Sequence, residues 1–263
     1  MARDLNVGLE SFVFIDDSDF EIGLVKSELP EVTCIQVPKK LSEYVFLAKN
    51  IRSLFGTGSL TKEDMRRTEM YKADIERGEL KNSSKSIDEY LKSLSMCMTV
   101  RVNDKITVQR VAQMTQKTNQ FNLTTIRLSQ AETLDYVEST KKLLVCFELS
   151  DIYGNNGITG ASFLSFTTKT KVNIDNILLS CRVLGRDAEY AFIESIVGLL
   201  SEMEVASITC QFIPTSKNEQ VSLYYENLGF DKVGEENGIT NYKYEITSIN
   251  KFRNTHIQIM REN

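Results

Sequence analysis

Apolar positions along this chain fall into short runs and helical stripes that alternate from end to end. Residues 12–15, Phe-Val-Phe-Ile, form a run without polar alternation, which suits a strand covered on both faces, as in a parallel sheet. Asp16 and Asp17 close it. Phe20, Leu24 and Val25 then recur at helical spacing, Leu29-Pro30 ends that helix, and Val32 to Val37 reads as a second strand stopped by Pro38. The result is a very short β-α-β opening. Residues 60–95 follow a different pattern. Lys62-Glu-Asp-Met-Arg-Arg-Thr-Glu69 is highly charged and predicts a solvent-facing helix, broken by Lys81-Asn-Ser-Ser-Lys85. Ser86-Ile-Asp-Glu89 is a capping-box pattern opening a helix that carries Tyr90, Leu91 and Leu94. Residues 46–95 therefore read as a helical connector.

A second domain is predicted from residue 96. Met96 to Val102 reads as a strand, and Val108, Val111, Ala112 and Thr115 fall on one face of a helix. Residues 142–149 and 158–167 read as strands joined by the polar turn Asp151-Ile-Tyr-Gly-Asn-Asn-Gly157. A strand over 174–183 follows. After Gly185, the positions Ala188, Ala191, Phe192, Ile196, Leu199 and Leu200 mark an amphipathic helix. Next come a strand over 207–213, a helix over 219–228 with Gly229 as its C-cap, and closing strands near 230–234 and 240–247. The order β-α-α-β-β-β-α-β-α-β-β describes a mixed α/β sheet with helices on both faces. The domains are then 1–45, 46–95 and 96–263.

Composition narrows the function classes. The 263 residues are 41% hydrophobic and 25% charged, an ordinary globular balance, and the formal net charge is −5. That mild acidity argues against a nucleic-acid binder working through a large basic surface. The five cysteines show no CxxC pairing, which favours reduced thiols in a cytoplasmic protein over a disulfide frame or zinc site. A single histidine, His256, excludes multi-histidine metal sites. No basic segment precedes an apolar run at the N-terminus, and no apolar stretch approaches the roughly 20 residues that span a bilayer, so neither a signal peptide nor a membrane is expected.

Three constellations carry candidate chemistry. Asp16 and Asp17 stand at the carboxyl end of a predicted buried strand, where open α/β sheets place ligands and where paired carboxylates can hold Mg²⁺. The competing reading is a solvated strand end in which Asp17 or Ser18 caps the next helix. The second is Arg182-Val183-Leu-Gly185-Arg186-Asp187-Ala188 at a strand-to-helix junction. A glycine-bearing loop feeding a helix N-terminus offers N–H groups to a pyrophosphate; the alternative is Asp187 as a helix N-cap with Gly185 making the turn. The third is Asn218-Glu-Gln-Val221-Ser-Leu-Tyr224-Tyr225-Glu-Asn-Leu-Gly229-Phe230.

The second and third resemble the acyl-CoA signature and the closing motif of the GNAT acetyltransferases. Asp187 stands where that family has a small residue, and Val221 and Tyr224 are further substitutes. The resemblance implies that Tyr225 reprotonates the leaving thiolate of CoA and that Asn218 holds the CoA arm by hydrogen bonds. Other readings are an interior aromatic at Tyr225 and a block on the diphosphate at Asp187.

Over most of its length the chain also resembles the FkbH family. The matching stretches include Phe12-Val-Phe-Ile-Asp-Asp17, Arg110 to Thr125 with its Thr-Asn-Gln-Phe-Asn-Leu-Thr-Thr block, Tyr153-Gly-Asn-Asn-Gly157, Leu179 to Arg186 and Pro214-Thr-Ser-Lys-Asn218. In that family a haloacid-dehalogenase-like (HAD-like) domain precedes a GNAT-like one. The resemblance implies loading of a glyceryl unit on an acyl carrier protein for methoxymalonyl-type polyketide precursors. Here only the C-terminal part of such a HAD-like domain is matched, because the Asp-x-Asp strand and acyl-accepting cysteine are missing. Asp16 and Asp17 would then be one corner of an incomplete Mg²⁺ site, and no phosphoryl chemistry is expected.

The chain thus reads as a HAD-like remnant, a connector and a GNAT-like domain taking acyl-CoA or phosphopantetheine. Its alternative is a GNAT-fold module without turnover that docks a carrier protein or stabilises a neighbouring domain. A patch of Arg182, Arg186, Lys217 and Lys232 would serve an acidic carrier protein. Glu148, Asp151 and Asn155 are expected near the acceptor. Gln116, Asn119, Gln120 and Asn122 either line a cleft or tie helix ends to loops. The strand Phe12 to Ile15 is expected to be covered by residues 41–60, paired with a second copy in a homodimer, or poorly ordered.

Overall fold

The computed structural model describes residues 8–55, 67–247 and 256–262, and the chain divides into two units, Met1–Ile75 and Glu76–Asn263. In the first, β1 (Val13–Asp16) and β2 (Thr33–Gln36) pair in parallel, with Val13 opposite Thr33 and Asp16 opposite Gln36. Between them runs α1 (Asp19–Glu28), whose N-cap Ser18 accepts a hydrogen bond from the Glu21 N–H at 3.3 Å. The β-α-β pattern is therefore real, and β1 has a partner along one edge. Helix α2 (Tyr44–Phe55) follows a single 3₁₀ turn. Residues 56–60 and most of the charged block 62–69 lie outside the described residues.

Helix α3 (Arg67–Ser83) crosses the boundary between units, and α4 (Ile87–Ser93) belongs to the second. Ser86 caps α4 by accepting from the Glu89 N–H at 3.1 Å, as its sequence predicts. Tyr90, Leu91 and Leu94 are buried in the main core of the second unit.

That unit is built on a mixed sheet. Its strands are β3 (Met96–Val102), β4 (Phe121–Asn122), β5 (Lys142–Asp151), β6 (Gly154–Thr168), β7 (Lys171–Leu179), β8 (Ser207–Phe212), β9 (Asp231–Glu236), β10 (Ile239–Glu245) and β11 (Ile257–Glu262). The order is β11-β3-β5-β6-β7-β8-β10-β9, with β4 attached to β7. Pairing is antiparallel except for β11 with β3 and β7 with β8. Helices α5 (Val108–Lys117) and α6 (Gln130–Glu138) precede β5, α7 (Ala188–Glu202) links β7 to β8, and α8 (Tyr224–Asn227) is a single turn.

Period-two alternation on β5 shows how the layers form. Leu143, Val145, Phe147 and Leu149 join the core under α7, whereas Leu144 and Cys146 join the core under α5 and α6. Both faces of the sheet's centre are buried, so the apolar runs there carry little polar alternation. Gly160 on β6 lies opposite Phe147; a Cβ there would sit 2.0 Å from the ring, so only glycine fits.

Several expectations needed correction. The polar turn at 151–157 is mostly strand: Asp151 pairs with Gly154, leaving only Ile152 and Tyr153 to turn. Carboxamides absorb the irregular register, with Asn156 Nδ2 donating to the Leu149 carbonyl at 3.0 Å and Asn155 Oδ1 accepting from the Gly157 N–H at 2.6 Å. The strand expected over 174–183 ends at Leu179, and Cys181–Val183 is a 3₁₀ turn. The helix expected over 219–228 is a 3₁₀ turn at Glu219–Val221 followed by α8. Gly229 does cap it, at φ +79°, with the Phe230 N–H returning to the Tyr225 carbonyl at 3.0 Å. The edge strand β11 and the small strand β4 were not anticipated.

Candidate functional site

The site is a fork between two parallel strands. β7 and β8 pair only from Lys171 to Ile174 against Ser207 to Cys210, and β7 then continues five residues further, to Leu179, without β8. Parallel strands that separate in this way leave a line of N–H and C=O groups on each inner edge, and each group needs a partner when buried.

The chain supplies those partners itself. Phe121 and Asn122 pair antiparallel with Leu179 and Leu178. The Leu123 N–H donates to the Ile177 carbonyl at 3.1 Å, and on the other side the Ile213 N–H donates to the Leu123 carbonyl at 2.8 Å. Thr124 continues the strap, its N–H on Asn176 Oδ1 at 3.1 Å and its hydroxyl on the Asp175 carbonyl at 2.8 Å. Phe121, Asn122, Leu123 and Thr124 are all buried.

Three asparagines fix the strap. Asn176 Nδ2 donates to Asn122 Oδ1 at 2.9 Å, and that same oxygen accepts from the Thr125 N–H at 2.9 Å. Asn218 Nδ2 donates to the carbonyls of Asn122 and Ile213, at 2.9 and 3.0 Å, while its Oδ1 accepts from the Thr215 N–H at 2.7 Å. Asn176 and Asn218 are fully buried. The side chain that the GNAT resemblance assigns to a CoA arm is thus engaged with the protein's own backbone.

Beside the strap lies an aromatic cluster. Phe121 meets Tyr224 edge-on at 5.1 Å between centroids, and Tyr225 lies 5.2 to 5.4 Å from Phe230, Tyr242 and Tyr224. The Tyr225 hydroxyl lies against the Cys210 thiol without a hydrogen bond of good geometry. Burial raises the Tyr225 phenol well above its ordinary range and pushes up the Cys210 thiol, so both keep their protons at neutral pH. Tyr225 holds a proton as a general acid must, but it is 1% exposed.

The loop from Ser180 to Ala188 makes its turn with two left-handed residues, Gly185 at φ +75° and Asp187 at φ +59°. Asp187 is the N-cap of α7 by position, yet its side chain makes no capping bond. Val183 and Ala188 are buried, Arg182 is half-buried and Gly185 is exposed. Arg186 is buried, with Nη1 3.3 Å from Asp151 Oδ2. Asp151 also takes Arg77 in two hydrogen bonds, at 2.7 and 2.9 Å, and accepts from the Tyr153 N–H at 2.9 Å.

Arg186 is therefore removed from the basic patch expected with Arg182, Lys217 and Lys232. Lys232 pairs with Glu235 at 2.8 Å. Glu148 holds Asn155 at 2.9 Å and Arg101 at 3.3 Å, so the acids expected near an acceptor are already engaged within the fold. Gln116 donates to the Leu128 carbonyl at 3.1 Å and Asn119 accepts from Arg127, which ties the loop after α5 to its surroundings.

In the first unit, Asp16 Oδ1 accepts from the Ser18 N–H at 2.8 Å and the Asp17 carbonyl accepts from Gln36 at 2.8 Å. Among the described residues no group of three His, Cys, Asp or Glu side chains is gathered for a metal. Mg²⁺ is commonly held by one or two carboxylates with waters and phosphate completing its shell, and here one oxygen of Asp16 is already engaged at the helix start. Also among the described residues, no helix is long and apolar enough to cross a membrane.

Sequence reasoning missed Asn176, Phe121, Leu123, Thr124 and Cys210 as residues of the fork. It also missed Tyr136, Ser165 and Asn173, whose side chains all bond Asp175, with Tyr136 at 2.8 Å and Asn173 at 2.7 Å. Polar residues at 173, 175 and 176 inside a buried strand were the available signal.

No family model matches the chain, and comparison with curated proteins finds no match. Among solved structures it is similar to the ribosomal-protein-S18-alanine N-acetyltransferase from Escherichia coli. That likeness has 13% identity and a TM-score of 0.44, over 58% of this chain and 96% of the other. Ard1 from Thermoplasma volcanium gives 14% identity and a TM-score of 0.45, over 58% and 99%. Rv2747 from Mycobacterium tuberculosis, in complex with CoA and NLQ, gives 11% and 0.44, over 56% and 99%.

Proposed function

We propose that the chain is FkbH-like, similar to the C-terminal part of that family. In this reading its second unit is a GNAT-like module for thioester-linked acyl groups that works with an acyl carrier protein in methoxymalonyl-type precursor synthesis. The observation that carries the reading is the fork between β7 and β8, which receives an extended segment by main-chain hydrogen bonds. A pantetheine arm is itself linear and bears amides, so it suits the same edge. The loop through Gly185 and the start of α7 lies at the end of β7, where backbone N–H groups of the first helical turn favour a diphosphate. The neutral phenol of Tyr225 would protonate a leaving thiolate. In the alternative, the module docks the carrier protein or stabilises a neighbouring domain without turnover. The engagement of Asn218 with the protein's own backbone favours that alternative. Calorimetric titration separates the two. Heat with acetyl-CoA or CoA supports the thioester module, and its absence at millimolar ligand leaves the docking module.

A further inference from the structure

We propose that Phe121–Thr125 is a self-ligand: it occupies the fork in the manner of a bound arm and must leave before a pantetheine arm can enter. The proposal rests on the thioester reading of the fork and adds how that site is regulated. Its basis is that the strap satisfies both inner edges at once. The Leu123 N–H bonds β7 through Ile177, and the Leu123 carbonyl bonds the chain just after β8 through Ile213. A linear amide-bearing ligand would need these same two groups, so strap and ligand exclude one another.

The grip is shared between a short stretch of main-chain bonding and side chains, with no long strand pairing. Only two residues of the strap pair in regular register, at Phe121 and Asn122. Leu123 adds its two main-chain bonds, and the rest of the hold comes from the carboxamides of Asn122, Asn176 and Asn218 and from the Thr124 hydroxyl. Thr125 turns away with φ +56°, a left-handed conformation uncommon for a β-branched residue. Carboxamides are specific and replaceable partners. A segment clasped by them can be freed as a unit while β6, β7 and β8 keep their own ladders. Ligand affinity then falls in proportion to the open fraction, and loosening the clasp restores it.

The test compares the wild-type chain with Asn122→Ala, titrating CoA and acetyl-CoA and following amide exchange at Leu123 and Ile213. Asn122→Ala removes the acceptor shared by Thr125 and Asn176 but leaves the inner edges of the fork intact. We expect CoA to bind Asn122→Ala about ten- to a hundredfold more tightly than wild type. We also expect saturating CoA to accelerate exchange at Leu123, whose N–H leaves Ile177 with the strap, while the Ile213 N–H stays protected by the arm that replaces it. Thr124→Val is a milder loosening should Asn122→Ala fold poorly, and the exchange experiment on wild type needs no substitution. Equal CoA affinity in both proteins, with the Leu123 amide still protected, would overturn the self-ligand and leave the thioester reading standing. Rapid exchange in Asn122→Ala without any CoA binding would overturn both, since an open fork would then have refused the arm.

Discussion

The two edges of β7 are built on different principles. Toward β6 the strand is paired along nearly its whole length, from Lys171 opposite Thr168 to Leu179 opposite Gly160. Toward β8 it is paired for four residues and then given to a segment drawn from far earlier in the chain. The first edge belongs to a meander of neighbouring strands, in which the chain closes short loops and backbone pairs with backbone. The second spans a long sequence separation and is completed by asparagine side chains. A ladder resists opening residue by residue, whereas a clasp can be undone at a few atoms.

That contrast can be broken or sharpened experimentally. The largest loss is expected at the turn supporting the well-paired side. Asp151→Ala leaves the buried guanidinium groups of Arg77 and Arg186 without their shared carboxylate. It should cost about 3–5 kcal/mol in urea unfolding. Gly160→Ala forces a methyl onto the Phe147 ring and should cost about 1–3 kcal/mol, read as a lower denaturation midpoint with unchanged slope. On the clasped edge, Asn176→Ala leaves the buried Thr124 N–H without its acceptor, for about 1–3 kcal/mol. Its exchange signature should be confined to the strap, whereas Gly160→Ala should loosen the sheet broadly.

The smallest effect concerns pH. Glu132 closes the capping box of α6, just beyond the strap, and hydrogen bonds from Ser129 lower its pKa below the ordinary 4.5. A depressed carboxylate stabilises the fold above its unfolded value, and that contribution is lost as pH falls through the folded value. Wild type should therefore lose more stability than Glu132→Gln between about pH 5 and pH 3, and the two curves should run parallel above that window.

Much of the architecture was legible because it is local. The capping box at Ser86, the apolar strands 142–149 and 158–167, the stripe of α7 and the glycine cap at Gly229 each depend on residues within one or two turns. The site was legible only in part. The motif at 182–188 does fall on a strand-to-helix loop, and Tyr225 and Asn218 do lie at the fork. Their partners were not readable, because nothing near Asn218 in sequence indicates that its amide meets the carbonyl of Asn122. Nor does anything near Arg186 announce that it turns inward to Asp151. The Thr-Asn-Gln-Phe-Asn-Leu-Thr-Thr block stood out through its family resemblance, yet its place inside the sheet depends on contacts more than fifty residues away.

By itself, the sequence determined the class of most long segments, because hydrophobic period, caps and turn residues act over a few positions and are written there. Only the tertiary structure decided where β7 and β8 part and what fills the gap. Buried backbone groups must find partners wherever the fold brings them, and among several amides able to serve, packing chose the chain's own.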